Sequence, residues 1–234
     1  MNCPEASKKI VEILGLKYEP VAVKLVKKGE SPPEGYVEVA SSLRHCQSIM
    51  RARKGEEFWI PASKHACPVG ASALGILPTP EKVASGEFHA NLGMFACAEA
   101  AKKMIDARPT LPLGDIIGTV VAPLSKARFK PDVVVVVGTP EQIYWILPAA
   151  ATYEIGGRVT ITTATMQATC VDSTIIPYIT ENINISLGCF GCRRSTDIAP
   201  EEMYVGIPFS KLDGILRALE KLGAGPIPKS RSKS

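Results

Sequence analysis

The sequence predicts an α/β or α+β fold, in which a mixed sheet packs against helices and the N-terminal half is rich in helix. Two observations lead to this prediction. Before residue 107, apolar residues recur mainly at helical spacing. From Asp115 onward, β-branched runs alternate with helical segments, and the five valines at 133–137 form the strongest strand signal. The 234 residues are enough to bury a core in one large or two small domains.

The N-terminal half begins with an amphipathic helix that Gly15 can end. Serines at 41–42 can cap the second helix, and Pro68 suits the first turn of the third because its missing N–H has no intrahelical partner there. Helices are predicted over 5–16, 41–53, 69–77 and 91–107, and extended segments over 21–26 and 58–61.

In the second half, the run at 133–137 is apolar at every position, which is typical of a strand covered on both faces. A helix over 140–153 should end or kink at Pro148. Leucine and isoleucine at helical spacing predict a terminal helix over 210–222. The remaining predicted strands lie at 116–121, 158–165 and 204–208.

We expect one α/β domain over 1–223, with 107–115 as the place where two subdomains could join, and a flexible basic tail over 224–234. Lysine and arginine number 27 against 23 acids, a net charge of +4, but residues 229–234 carry three lysine or arginine residues and no acid. The body is therefore nearly neutral, which argues against a duplex nucleic-acid partner. A homo-oligomer is compatible with this composition.

The chain begins with a charged amphipathic stretch and not with an apolar leader, and prolines interrupt its longest uncharged run. We therefore expect a cytoplasmic protein without a membrane partner. Thiols in that compartment stay reduced, and an odd number cannot all pair. The seven cysteines are thus better explained as metal ligands or redox groups than as disulfides. They are Cys3, Cys46, Cys67, Cys97, Cys170, Cys189 and Cys192.

The densest chemical signal is the C-x-x-C pair Cys189 and Cys192. Gly188 and Gly191 let the backbone curl so that N–H groups point towards sulfur, and Arg193 with its neighbouring arginine should lower the pKa of nearby thiols. The pair could bind a metal or cluster, form a redox disulfide, or be two ordinary thiols. The sequence does not predict the strand before it and the helix after it that a thioredoxin-type motif requires.

The other cysteines carry weaker signals. Cys67 stands where a helix begins, which favours its thiolate, although a buried space-filling thiol is an equal alternative. Cys170 follows a predicted strand, where site residues often project. Cys46 has polar neighbours and is a weak ligand candidate. Cys3 and Cys97 are expected to be structural or incidental.

The three histidines, His45, His65 and His89, are expected at the surface, although the first two lie close to candidate cysteines. The sequence contains no phosphate-binding loop, no G-x-G-x-x-G, no H-E-x-x-H and no G-x-S-x-G. This lowers the odds of the common nucleotide, zinc-protease and serine-hydrolase chemistries.

Five short segments of the chain form a set, and four of them contain a candidate cysteine: Arg44-His45-Cys46-Gln47, Ala66-Cys67-Pro68, Ala168-Thr169-Cys170, Ser186-Leu187-Gly188-Cys189-Phe190-Gly191 and Gly206-Ile207-Pro208. Together these segments resemble the family called domain of unknown function 169, over roughly residues 14–216. The resemblance implies an archaeal or anaerobic bacterial setting. It also implies that the recurring thiols correspond to Cys46, Cys67, Cys170 and Cys189, and that Cys192 departs from the pattern. Four thiolates from distant segments suit an iron–sulfur cluster or a structural zinc.

These observations lead to three hypotheses. The first is an iron–sulfur protein of anaerobic metabolism with a [4Fe–4S] cluster on those four cysteines, Cys192 as substitute or neighbour, and Arg193 and His45 tuning its charge. It would exchange electrons with a redox protein partner, or act as an oxidoreductase on a small-molecule substrate. The second is a binding module with a structural zinc on the same thiols. The third is a dithiol–disulfide redox protein that uses Cys189 and Cys192.

Overall fold

The computed structural model describes residues 2–232, and its centre is a six-stranded sheet with strand order β2-β3-β1-β4-β6-β5. The strands are β1 (Val21–Lys27), β2 (Phe58–Pro61), β3 (Ile116–Pro123), β4 (Val133–Gly138), β5 (Asn184–Ser186) and β6 (Met203–Pro208). Every pairing between them is antiparallel. The predicted combination of helices and sheet is confirmed, but the sheet is antiparallel and not mixed.

One predicted strand is wrong. Residues 158–165 belong to no strand, and the side chain of Asn184 on β5 bonds the backbone there. Its Oδ1 accepts from Thr162 N at 2.9 Å and its Nδ2 donates to Thr162 O at 2.7 Å. A side-chain amide thus satisfies backbone groups that a neighbouring strand would otherwise pair.

The helices are mostly shorter than the sequence predicts. The bounds are α1 (Cys3–Leu14), α2 (His45–Ala52), α3 (Pro68–Ala73), α4 (Glu81–Ala84), α5 (Glu87–Asn91), α6 (Ala98–Asp106), α7 (Pro140–Tyr144), α8 (Ile176–Thr180), α9 (Phe190–Ser195), α10 (Leu212–Gly223) and α11 (Pro226–Arg231). The helix expected over 140–153 ends at Tyr144, and a π-helical segment begins at Pro148, whose ring cannot continue an α-helix. A second π-helical segment, Ala168–Ile175, leads into α8.

Both faces of the sheet are covered, as the valine run of β4 predicts. Val134 and Val136 pack in a hydrophobic cluster with residues of α1 and α10. Val133, Val135 and Val137 pack on the opposite face in a second cluster, which includes residues of α2 and Cys192 of α9. The cysteine-bearing helices α2 and α9 therefore share one face of the sheet.

Gly206 on β6 determines how closely the segment that carries Cys170 approaches this sheet. A Cβ atom at position 206 would lie 2.2 Å from the carbonyl oxygen of Ser173 and 2.7 Å from Pro177 Cγ. Only glycine leaves room for this contact between backbone and strand. Gly206 therefore fixes the height of Cys170 above the sheet.

The C-terminal segment, expected to be loose, is docked as far as residue 232. Ile227 of α11 is buried, and Arg231 donates to the carbonyl oxygen of Leu14 at 2.9 Å and pairs with Glu141 at 3.1 Å. The last two residues of the expected tail, 233–234, lie outside the described residues. Among residues 2–232, no helix has the length and apolar character needed to cross a bilayer.

Candidate functional site

Five cysteines from four separate segments line one cavity of about 380 Å³. These are Cys46, Cys67, Cys170, Cys189 and Cys192. The other two, Cys3 at the start of α1 and Cys97 before α6, do not line it. The structure thus places all five thiols named as ligand candidates around one space.

Two of the thiols stand immediately before short helices and accept hydrogen bonds from them. Cys67 Sγ accepts from Gly70 N at 3.4 Å, and Cys189 Sγ accepts from Cys192 N at 3.3 Å. Each sulfur is thereby held against the first turn of the helix that follows it. The expectation that the C-x-x-C does not follow a strand and open a helix is wrong, because it lies between β5 and α9.

Gly70 keeps the space between two thiols open. A Cβ atom at this position would lie 3.2 Å from Cys170 Sγ and 3.7 Å from Cys67 Sγ. Cys170 itself is buried in the segment Ala168–Ile175, where its thiol donates to the carbonyl oxygen of Gln167 at 3.7 Å. The lack of a side chain at Gly70 therefore leaves room between sulfurs that come from opposite halves of the sequence.

Cys192 forms the floor of the cavity and is fully buried. Tyr204 Oη lies 2.8 Å from its sulfur, and Thr169 Oγ1 donates to that sulfur at 3.4 Å. A hydrogen bond from Cys46 is the main cause that lowers the pKa of Cys192; Thr169 and Tyr204 assist, while burial opposes the shift. Within this hydrogen-bonded pair of thiols, the hydroxyl groups of Thr169 and Tyr204 favour negative charge on the sulfur of Cys192.

Burial and the neighbouring thiols oppose the ionisation of Cys46 and Cys170. The hydrogen bond to Cys192 and then burial raise the pKa of Cys46, with further contributions from the charges of Cys189 and Cys170. Burial raises the pKa of Cys170 well above its ordinary value, and the charges of Cys67 and Cys189 add to this. A cationic group bound by these sulfurs would replace their protons and remove the repulsion.

The charged side chains that line the cavity are basic. Arg44 and Arg194 line it, no Asp or Glu does, and neither arginine makes an ion pair with a described residue. Both arginines lie beside the candidate thiols in sequence, which is the signal that identifies them. A positive lining of this kind attracts anions and offsets the charge of thiolates.

His45 lies on the cavity wall but carries no charge. The hydroxyl of Thr174 donates its hydrogen to the carbonyl oxygen of Thr169, at 2.9 Å. Thr174 Oγ1 must therefore accept the hydrogen bond that His45 Nε2 donates, at 3.0 Å. His45 Nδ1 is then a free acceptor with no partner in residues 2–232. Burial lowers the pKa of His45 to about 3, so the imidazole is neutral and does not supply positive charge to the cavity.

Other site expectations fall outside the cavity. Arg193 turns away and donates through Nε to the carbonyl oxygen of Leu187 at 2.8 Å and through Nη2 to that of Glu202 at 3.0 Å. Gly188 lies with it beside a neighbouring hollow, whereas Gly191 lines the cavity. The expectation of surface histidines is also wrong, because all three histidines are buried.

Within residues 2–232, no three His, Cys, Asp or Glu side chains are arranged to hold one metal ion. A tetrahedral zinc site needs its sulfurs about 2.3 Å from a common centre. The cysteine sulfurs instead surround a cavity of about 380 Å³. The thiol donor set, the space beside Gly70 and the unpaired arginines fit a cationic group larger than a single metal ion, whose complex with several thiolates carries net negative charge.

The sequence profile of the family DUF169, described as "Uncharacterised ArCR, COG2043", matches residues 9–218. The chain belongs to this family. A similar protein is the uncharacterized protein MJ0308 of Methanocaldococcus jannaschii, which is 38% identical over 219 residues, covering 92% of this chain and 93% of the relative. No solved structure matches the chain. Membership of DUF169 confirms the resemblance inferred from the cysteine segments.

Proposed function

We propose that this DUF169 protein is a cytoplasmic iron–sulfur protein whose cluster, of the [4Fe–4S] type, is ligated by Cys46, Cys67, Cys170 and Cys189. The supporting observation is that these four thiols, from four distant segments, line one cavity with a basic wall. Cysteine thiolates are the usual ligands of such clusters. The protein would serve electron transfer or the redox activation of a small substrate in anaerobic metabolism.

When bound, the cluster supplies one-electron redox chemistry. The protein's own residues hold and adjust it. The N–H groups of Gly70 and Cys192 donate to the sulfurs of Cys67 and Cys189, which stabilises thiolate charge. Arg44 and Arg194 balance that charge from the cavity wall and thereby favour the more reduced state.

Cys192 has a separate task in this account. It is fully buried, and the side chains of Tyr204 and Thr169 bond its sulfur. It therefore lies beneath the ligand set as a neighbour that stabilises the floor of the site.

A structural zinc on the same cysteines is the second candidate. It would tie four distant segments together without redox chemistry. The separation of the thiols around the cavity favours the cluster, because a single zinc ion would require them to converge. Zinc content and acid-labile sulfide distinguish the two candidates directly.

A dithiol–disulfide function of Cys189 and Cys192 is the third candidate, supported by the position of the pair between β5 and α9. Its weakness is that Cys192, the thiol with the lowered pKa, is fully buried and cannot reach a partner. The substitution Cys192→Ser separates the two candidates. It would abolish turnover by a dithiol enzyme, whereas a cluster on the other four cysteines would remain largely bound.

The experiment is to purify the protein without oxygen and compare Cys67→Ser and Cys170→Ser with the control Cys97→Ser. We expect the wild type and the control to be brown, with broad absorbance at about 400 nm. The two ligand variants should lose most of that absorbance. Wild-type protein that stays colourless after reconstitution with iron and sulfide would overturn the proposal.

A further inference from the structure

Besides His45 with its free Nδ1, two buried polar side chains on the wall of the cysteine-lined cavity have hydrogen-bonding atoms without a partner in the part of the chain that the structure describes. Gln167 is 4% exposed, and its Nε2 donates to nothing there. His89 is 0% exposed, and neither of its ring nitrogens is bonded. Buried polar groups in native proteins are normally paired. Both side chains line the cavity, so a ligand in it can supply the missing partners.

Neither side chain is explained by the cluster. Gln167 and His89 are not cysteines, and the amide Nε2 of Gln167 can only donate hydrogen bonds. His89 belongs to α5, which carries no candidate ligand. The site therefore has a polar portion beyond the thiols, built from residues whose only common feature is this cavity.

The charge and surface of the cavity indicate the chemistry of that ligand. The unpaired arginines Arg44 and Arg194 line the same space without any acidic residue, which favours an anion. Phe88 and Leu92 line it as well and are more than a third exposed, so they form an apolar rim that opens to solvent. A cavity of about 380 Å³ admits only a small molecule.

We propose that this cavity binds a small organic carboxylate beside the thiols, with the carboxylate oxygens bonded by Gln167 Nε2 and the two arginines. His89 bonds a hydroxyl or keto group of the same molecule, because a neutral imidazole offers one donor and one acceptor. The carbon skeleton contacts Phe88 and Leu92. As a substrate of the cluster, the ligand rests on the proposed function, whereas its binding can be measured independently.

The test is isothermal titration calorimetry under nitrogen on the full chain as purified, with glycolate, lactate and pyruvate as probes. Lactamide, which has lactate's shape without its charge, is the ligand control. The variants are Gln167→Glu, which replaces the donor amide by a carboxylate, and His89→Phe, which keeps a ring but removes both nitrogens. Arg217→Gln on α10 removes an arginine away from the cavity and is the protein control. Iron and sulfide are measured on every sample.

We expect at least one carboxylate to bind and lactamide not to bind. Gln167→Glu and His89→Phe should each weaken binding at least tenfold with unchanged iron content, and Arg217→Gln should match the wild type. Binding of no carboxylate to iron-loaded wild type would overturn this inference and leave the proposed function standing. Carboxylate binding to a protein that holds no iron would support the inference while the proposed function fails. Equal binding by the wild type and both cavity variants would overturn the assignment of these residues.

Discussion

Tyr204 Oη lies 2.8 Å from Cys192 Sγ, and this contact joins the central sheet to the floor of the cysteine-lined cavity. Both residues are fully buried. Tyr204 is on β6, and Cys192 is on α9, which covers that face of the sheet. The contact therefore holds the C-x-x-C segment in a fixed position above the strand.

Replacing Tyr204 by phenylalanine should destabilise the protein by about 0.5–1.5 kcal/mol, because it removes a buried hydrogen bond and leaves the sulfur with one partner fewer. Urea unfolding measures this change. Tyr144→Phe is the control, since Tyr144 is 55% exposed and should show no comparable effect. Equal stability of Tyr204→Phe and the wild type would mean that this contact does not hold the floor of the cavity.

The two cysteines of the C-x-x-C should behave differently on substitution. Cys189→Ser should lose most of the iron because it removes a proposed ligand, whereas Cys192→Ser should retain most of it. Iron analysis of protein purified without oxygen measures both, and Cys3→Ser is the control outside the cavity. The ligand set would have to be reassigned if Cys192→Ser lost iron and Cys189→Ser kept it.

Gly70→Ala should reduce cluster incorporation, because the added methyl group would lie 3.2 Å from Cys170 Sγ in the space between two thiols. Gly214→Ala is the matched control. It also lies within a helix, and its Cβ would approach only the side chain of Arg217, at 3.7 Å. Iron content and absorbance of the two variants give the comparison. Identical iron content in the two variants would show that the cluster does not occupy the space beside Gly70.

Gly206→Ala should destabilise the fold by about 1–3 kcal/mol, the usual cost of overpacking. Its Cβ would lie 2.2 Å from the carbonyl oxygen of Ser173, so β6 and the segment carrying Cys170 would have to move apart. Thermal unfolding measures the loss of stability, and iron analysis should show reduced loading as Cys170 shifts. A variant as stable as the wild type would contradict this packing.

His89 should make the protein less stable as the pH falls below about 6.5, the ordinary histidine pKa. Burial and then the charge of Arg108 lower the pKa of His89 in the folded state. The unfolded state therefore binds the proton first, and stability that is complete above pH about 6.5 decreases towards acid. Urea unfolding across this range should show a shallower acid decline for His89→Phe. If the free energy of unfolding of His89→Phe fell towards acid pH as steeply as that of the wild type, His89 would not be the cause of the decline.

The sequence predicts the strands that have strong local signals, and misses features that depend on contacts between distant segments. The valines of β4 identify a strand covered on both faces because their pattern is local. Residues 158–165 have the composition of a strand, but the side chain of Asn184 bonds the backbone there instead. Only the fold reveals that relation.

The same limit applies to the site. The cysteines could be grouped from sequence through the family resemblance, and Arg44 and Arg194 follow the same local signal because each lies close in sequence to one of them, Cys46 and Cys192. Gln167 and His89 carry no comparable signal, because their importance comes from burial on one cavity wall. Arg193 has the expected charge but turns to the carbonyl oxygens of Leu187 and Glu202. Sequence position alone does not determine the direction of a side chain.

The most direct test of the central claim is the iron, zinc and acid-labile sulfide content of the wild-type chain purified without oxygen. The account predicts about four iron and about four sulfide per chain and no stoichiometric zinc, the composition of a [4Fe–4S] cluster. One zinc per chain without sulfide, or no bound metal after reconstitution, would contradict it.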